Sequence, residues 1–446
     1  MVSTSSSLFV AGLVVAVAVA AGVAYGTRGA VAVSIAALAI AVVGGVGMGV
    51  LALARFETFL VVLLAVRPSL DALKGDSGGV LSPGVAAGGV FLLAAAHWLL
   101  SLARAGTLVP FSRTSRALAV LGVASLVSAV GSLDPVESLT SASKICSGLL
   151  MIAVVEQLAR QRPDALPRLL AAALASLLVP TLLTIQEAGR KGAEARLSGG
   201  FVHPNALAEY VVTVGLVAAA IAIASTGARR QLAVVTFAVA VLLLLGTQAR
   251  GAWIGFAVGV VLIAALVDRR LVIVAALGVV VLVTAVPEVT ARFSDLSQQR
   301  QYGRGDPNSF AFRLRYWGEI LPLANSSPIT GIGIDRVRDE SGEGLQPHST
   351  PVQVYVESGV FGAGAFLAVV ALLVADLRRA LRLRSRLHGI TRGTVVGASV
   401  VAAAFGLQML TDNLLTQALQ FWFLGVPIGW ALGQLPARAR SARVTV

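Results

Sequence analysis

The sequence predicts an all-α polytopic membrane protein with about 12–14 transmembrane helices. Three observations predict it. Apolar runs of about 20 residues, the length of a helix that crosses a bilayer, recur along most of the chain. Of the 446 residues 57% are hydrophobic and 13% charged, too few charges to keep a chain of this size dissolved in water. The mean hydropathy is +0.85. Such a chain is normally one bundle, so residues 1–446 are expected to form one domain.

Runs and breakers place the spans at 7–26, 30–53, 56–72, 85–104, 116–131, 138–156, 167–186, 203–224, 231–248, 251–267, 271–286, 352–376, 393–411 and 415–435. The opening stretch "MVSTSSSLFVAGLVVAVAVAAG" has no basic n-region and reads as a retained first span. No internal repeat is visible, so an inverted-repeat transporter gains no support. A single cysteine, Cys146, rules out an internal disulfide and a Cys-cluster metal site. Much of the net charge of +13 lies in short loops beside spans, where it acts as an orientation signal, and no nucleic acid partner is expected.

Orientation follows from the basic loops. "DLRRALRLRSRLHGITR" at 376–392 is the strongest and should be cytoplasmic. Counting back puts 267–270, 227–231, 157–168 and 111–116, all basic, on the same side. Residues 287–351 then form one large extracytoplasmic loop. The hairpin "GTQARG" at 246–251 is extracytoplasmic too, so Arg250 is not a positive-inside anchor. Snorkelling to outer headgroups would place an arginine there, and so would an anionic ligand on that face.

The same face collects other polar residues. Arg196 lies in the loop before "HPNALAEY", where His203 and Asn205 cap a span and Pro204 fits its first turn. "FAFRLRYWGEILPLA" has Phe312, Tyr316, Ile320 and Leu323 at helical spacing, which predicts an amphipathic surface helix carrying Arg313, Arg315 and Trp317. "SSPITGIGID" predicts a tight turn, and "QPHSTPVQVYVESGVFG" brings His348 to the mouth of the next span. Guanidiniums bind phosphate oxygens bidentately and stay charged, so arginines at an outer surface suit a diphosphate. They also stabilise charge on a departing diphosphate. A nearby histidine can deprotonate an acceptor hydroxyl near neutral pH. The loops show no Asp/Glu cluster with metal spacing, so no metal is expected and arginines could fill the place of a cation.

Four stretches and the layout carry a family resemblance: "RLSGGFVHPNALAEY" at 196–210, "TQARGAWIGF" at 247–256, "FRLRYWGEILPLANSSPITGIGID" at 312–335, and "PHSTPVQVYVESGVFGAG" at 347–364. In their order and spacing the chain resembles the O-antigen ligase and O-antigen polymerase (Wzy-like) superfamily of bacterial envelope glycosyltransferases. The family pattern is matched in order by Arg313, Trp317, Pro328, Gly331, Gly333, His348, Gly359 and Gly362. The resemblance implies a GT-C-like fold in the bacterial cytoplasmic membrane, working on its extracytoplasmic face without a cofactor. It implies transfer of a glycan from an undecaprenyl-diphosphate-linked donor to an acceptor sugar hydroxyl, borne by a glycan or lipid-glycan. Membrane lipids and envelope polysaccharide assembly proteins are the other partners expected. Carried over residue by residue, the essential basic groups are Arg250, Arg313 and His348, with Arg196, His203, Asn205 and Arg315 as candidate substrate contacts. Two positions depart from the pattern: Ser349 follows His348 where the family has Asn, and Ala249 precedes Arg250 where it has Ser. The rival reading is a lipid-linked glycan flippase or other transporter, which would place ionisable residues deep in the spans. Lys144, Glu209 and His97 are the residues of that kind here.

Overall fold

The computed structural model describes residues 47–72, 83–192, 195–267 and 309–436, with scattered positions between 270 and 280. The expected span at 7–26 lies outside the described residues, as do most of 30–53 and 271–286 and residues 287–308 of the expected outer loop. Every regular element described is helical, and nine helical stretches among the described residues, with Pro163–Lys191 taken as one, are long and apolar enough to cross a membrane. The protein is a polytopic helical membrane protein.

In chain order the helices are α1 (Phe56–Ala72), α2 (Pro83–Arg104), α3 (Arg113–Val130), α4 (Pro135–Gln161), α5 (Leu166–Ala175), α6 (Leu178–Lys191) and α7 (Pro204–Ala224). Then come α8 (Gly227–Thr247), α9 (Arg250–Val267), α10 (Ser309–Ile320), α11 (Val337–Glu340), α12 (Thr350–Arg382), α13 (Gly389–Met409) and α14 (Ala418–Gly433). Side chains cap the starts of three of them. Ser112, Asp134 and His203 accept the N–H of Ser115, Glu137 and Asn205 at 3.1, 3.2 and 3.1 Å. Pro135 and Pro204 follow their caps as first helical residues, where a missing N–H costs nothing. The run expected as one span at 167–186 is two helices, with a turn at residues 176–177. Pro180 explains the break: its ring conflicts with a helical carbonyl four residues earlier, at Ser176.

α7 is central and packs on α8, α9, α13 and α14. It is apolar nearly all round and its middle is buried on every side, as a core helix must be. α14 packs along α4 with backbones close together, since a Cβ at Gly429 would lie 2.4 Å from the Ile152 carbonyl oxygen. Trp422 and Trp430 are both buried, and Trp422 donates its indole N–H across this seam to Ser147 at 3.1 Å.

α12 is broken. Gly359 has φ 62° and ψ −162°, which unwinds the helix within the span. Backbone groups unpaired in a membrane cost several kcal/mol each, roughly, so the break needs partners. The turn before α11 supplies them. Ile332 and Gly333 N–H donate to the carbonyls of Val356 and Glu357 at 3.2 Å each. In return Val360 and Phe361 N–H donate to the carbonyls of Pro328 and Ile329 at 2.9 and 3.1 Å. The Ser128 hydroxyl gives the Glu357 carbonyl a second bond from α3. One glycine of each expected motif, Gly331 and Gly359, therefore serves this one contact. A Cβ at Gly331, where φ is 75°, would lie 2.2 Å from the Glu357 carbonyl carbon. A Cβ at Gly359 would lie 2.4 Å from that of Ile329.

Gly331→Ala should therefore lower stability by about 3 kcal/mol or more, from left-handed strain plus overpacking. Gly364→Ala, on the same helix as Gly359 with open space around it, should cost nothing. Thermal unfolding of the detergent-purified proteins measures both.

Candidate functional site

The site is built where α8, α7, α12 and α13 begin or end. Gln248 takes a left-handed φ of 52° and ends α8, and α9 starts at Arg250. The hairpin is held without the serine the family pattern has at position 249. The Thr247 hydroxyl accepts the Ala249 N–H at 3.3 Å, and the Trp253 indole donates to the Leu244 carbonyl at 2.9 Å. The loop before α7 lies along this hairpin. Leu197 N–H donates to the Gly246 carbonyl at 2.9 Å and Arg196 Nε to the Thr247 carbonyl at 3.2 Å. Arg196 also donates to Asn205 Oδ1 at 2.8 Å.

α10 is the amphipathic helix its spacing predicts. Phe312, Tyr316 and Ile320 bury against Val337 and Val356. The Tyr316 hydroxyl bonds Ser341 at 2.8 Å and the Leu345 carbonyl. The Trp317 indole donates to the Pro347 carbonyl at 2.7 Å, which fixes the chain one residue before His348.

His348 itself has a left-handed φ of 50°, and its Nδ1 is 3.9 Å from Asp412 Oδ1. Asp412 lies between α13 and α14 and joins the parts. Asn205 donates to its carboxylate at 3.2 Å, and Thr350 donates to its carbonyl at 2.8 Å. Asn413 Oδ1 accepts the Ser349 N–H at 3.0 Å. A carboxamide thus stands beside Ser349, though it comes from another loop.

These elements enclose a cavity of about 300 Å³. Arg196, Asn205, Arg250 and Arg313 line it, together with Asp412, Glu209, Gln248, Gln408 and Thr411. Of the residues expected from sequence, the structure brings those first four together. His348 stands at the rim, 41% exposed and reaching the cavity through Asp412. His203 adjoins the same group, within electrostatic reach of Arg196, Asp412 and His348. Arg315 turns elsewhere, to Glu319 at 2.5 Å, to Glu343 at 3.2 Å and over the Phe312 ring. Sequence reasoning missed Asp412, Gln248, Gln408 and Thr411. The "TDN" stretch at 411–413 held the available signal: an acidic residue at the end of a span that points the same way as the Arg250 hairpin.

Burial pushes the Arg313 guanidinium below its ordinary value and Arg250 adds to that, while Asp412 opposes it. A guanidinium starts so high that it stays cationic. Burial pushes the Asp412 carboxyl up, but the nearby His348 imidazole and hydrogen bonds from the Asn413 N–H and Asn205 outweigh it and hold it below the usual carboxylate range. His203 is held below the ordinary imidazole value by burial first and by Arg196 next. Its Nδ1 accepts the Asn205 N–H, which only an unprotonated Nδ1 can do. Among the described residues no group of three His, Cys, Asp or Glu could hold a metal ion.

Fold and site together define a polytopic helical membrane protein with an arginine-lined cavity where helix ends meet. Residues 214–367 match the family model described as O-Antigen ligase, a stretch from α7 to α12 that includes Arg250, Arg313 and His348. The match supports the resemblance read from the motifs, to O-antigen ligase/polymerase-like glycosyltransferases. No curated protein matches the chain.

The cap at His203 gives a pH test. A lowered folded value means the unfolded chain binds more protons, so stability is lost as pH falls through and below the ordinary 6.5. His203→Ala should cost about 1 kcal/mol near neutral pH. His203→Asn, a cap that does not titrate, should keep neutral-pH stability and lose part of the acid-side fall. Melting temperature against pH measures both.

Proposed function

We propose that the protein transfers a glycan from an undecaprenyl-diphosphate-linked donor to an acceptor sugar hydroxyl on the extracytoplasmic face of the bacterial cytoplasmic membrane. One observation carries the reading: Arg250 and Arg313, from separate parts of the chain, face one cavity whose size and charge suit a diphosphate. Arg250 and Arg313 bind the diphosphate and neutralise charge as it leaves. His348 takes the proton from the acceptor hydroxyl, with Asp412 beside its Nδ1 to orient the ring. The acceptor oxygen bonds to the sugar's anomeric carbon, the bond from that carbon to the diphosphate oxygen breaks, and the lipid diphosphate departs. The basic loop at 376–392 lies at the far end of α12 from His348, and Arg229 and Arg230 at the far end of α7 from Asn205. This arrangement supports an outward-facing cavity under the positive-inside rule.

Purified protein in detergent, given lipid-linked donor and acceptor, tests the reading. Arg250→Ala and Arg313→Ala should each lower transfer about 10²–10³-fold while accumulating normally. Arg315→Ala, in a surface ion-pair network, should lower it less than about tenfold. Full transfer by both of the first two variants would overturn the site. A protein that moves donor across vesicles but forms no glycosidic bond in detergent would be a transporter instead.

A further inference from the structure

Glu209 and Gln408 have no part in the scheme above, yet both line the cavity that holds Arg250 and Arg313. Glu209 lies in the second turn of α7, and Gln408 in the last turn of α13. Their residues are 4% and 3% exposed. Glu209 Oε2 and both polar atoms of the Gln408 carboxamide have no hydrogen-bond partner in the protein. A buried polar atom left unpaired costs about 1–3 kcal/mol, so three in one place are kept for a reason.

The packing around Gln408 holds its carboxamide in place. A Cβ at Gly255 would lie 2.6 Å from Gln408 Nε2 and 3.3 Å from the Ala404 carbonyl oxygen, so α9 presses a bare backbone against this side chain. The floor therefore offers a fixed N–H donor and carbonyl acceptor on Gln408 and a carboxyl oxygen on Glu209. The Asp412 carboxyl adjoins Glu209 on the same side. A phosphate oxygen only accepts hydrogen bonds, and the Gln408 carbonyl and the Asp412 carboxylate have no proton to give it. A hydroxyl both donates and accepts, so neighbouring hydroxyls on a sugar ring match this mixed set. The guanidiniums and the floor thus divide one cavity between two chemistries.

We propose that Glu209 and Gln408 form a hydroxyl-recognising subsite for the sugar ring attached directly to the donor diphosphate, and so select which donor sugar is accepted. The subsite rests on the glycan-transfer reading above and adds specificity to it. A site built to hydrogen-bond hydroxyls rejects a ligand that lacks them, because its buried groups then stay unpaired.

The test is direct binding by the full-length protein in detergent. The probes are undecaprenyl diphosphate and a panel of the same lipid carrying one hexose, N-acetylhexosamine or 6-deoxyhexose. The wild type should bind at least one sugar-bearing form about tenfold more tightly than the bare lipid diphosphate. Gln408→Leu should erase that preference and leave bare-lipid affinity within about twofold. Gln408→Glu, of the same size but without the donor, should weaken the preference as well, and it serves if Gln408→Leu does not fold. Glu209→Gln should change which sugar is preferred. A wild type that prefers no sugar-bearing form, or a Gln408 variant that loses both ligand types equally, would overturn the subsite. Arg313→Ala separates the two readings: it should weaken every probe, and if the bare lipid binds it as well as the wild type, the diphosphate reading fails instead.

Discussion

Asp412 and Asn413 link three helix ends in a single stretch of hydrogen bonds. Asp412 takes the Asn205 amide with its carboxylate and the Thr350 hydroxyl with its carbonyl, and Asn413 takes the Ser349 N–H. The Thr350 hydroxyl accepts the Leu414 N–H in turn, at 3.0 Å. The start of α7, the start of α12 and the end of α13 are thereby held in register. Asn205 passes the constraint to Arg196, and Arg196 passes it to the hairpin before Arg250. A network of this kind is cooperative where it is shielded from water, and breaking one member leaves the others unpaired. The helix ends that wall the cavity depend on this chain of contacts, because they expose backbone groups that only polar partners satisfy.

The second constraint is the broken helix at Gly359. The turn from Pro328 to Gly333 completes the backbone pairing that α12 gives up there. That fixes the segment after α10, and the apolar contacts of Phe312, Tyr316 and Ile320 with Val337 and Val356 fix α10 itself. Trp317 then anchors Pro347 and so the backbone next to His348. Arg313 reaches the cavity because α10 has one allowed seat, and His348 stays at its rim because its neighbours on both sides are tied down. Glycine is needed at 331 and 359 for close approach and positive φ together, so these positions govern the site without touching it.

Apolar periodicity and its breakers were enough to place α1, α7 and α9 within a residue or two, because a bilayer imposes both length and composition on a span. The turn at 176–177 was not legible: Pro180 accompanies a break there, but Pro68 and Pro427 sit inside α1 and α14 without ending them, so a proline within an apolar run does not by itself mark a break. The sidedness expected from the basic loops pointed to Arg250, since a basic residue opposite those loops lacks the usual reason to be there. The choice of Arg313 over Arg315 came from the family resemblance and not from spacing or composition. Two residues apart on a helix, they face different ways, and Arg315 is claimed by Glu343, which is distant in sequence. Asp412 was invisible for a related reason: an acidic residue at a span end reads as ordinary interface until its partners are known. Glu209 stood out as a charge inside a span, but its position suggested transport until the cavity beside Arg250 was seen.

The electrostatics of the cavity change over one reaction cycle on the proposed reading. With no donor bound, Asp412 is the carboxylate that faces Arg313 and His348. Three helix N-termini, those of α7, α9 and α12, also start at this end of the bundle, and their dipoles add positive potential. An arriving diphosphate satisfies the guanidiniums and N-termini better than one carboxylate can, because it offers more acceptor oxygens. Asp412 is then relieved of its share in balancing Arg313 and faces the imidazole of His348. That is the moment at which His348 must accept a proton from the acceptor hydroxyl, and a neighbouring carboxylate stabilises the imidazolium that forms. Donor binding thus prepares the base without moving it, by redistributing the partners of one half-buried acidic side chain.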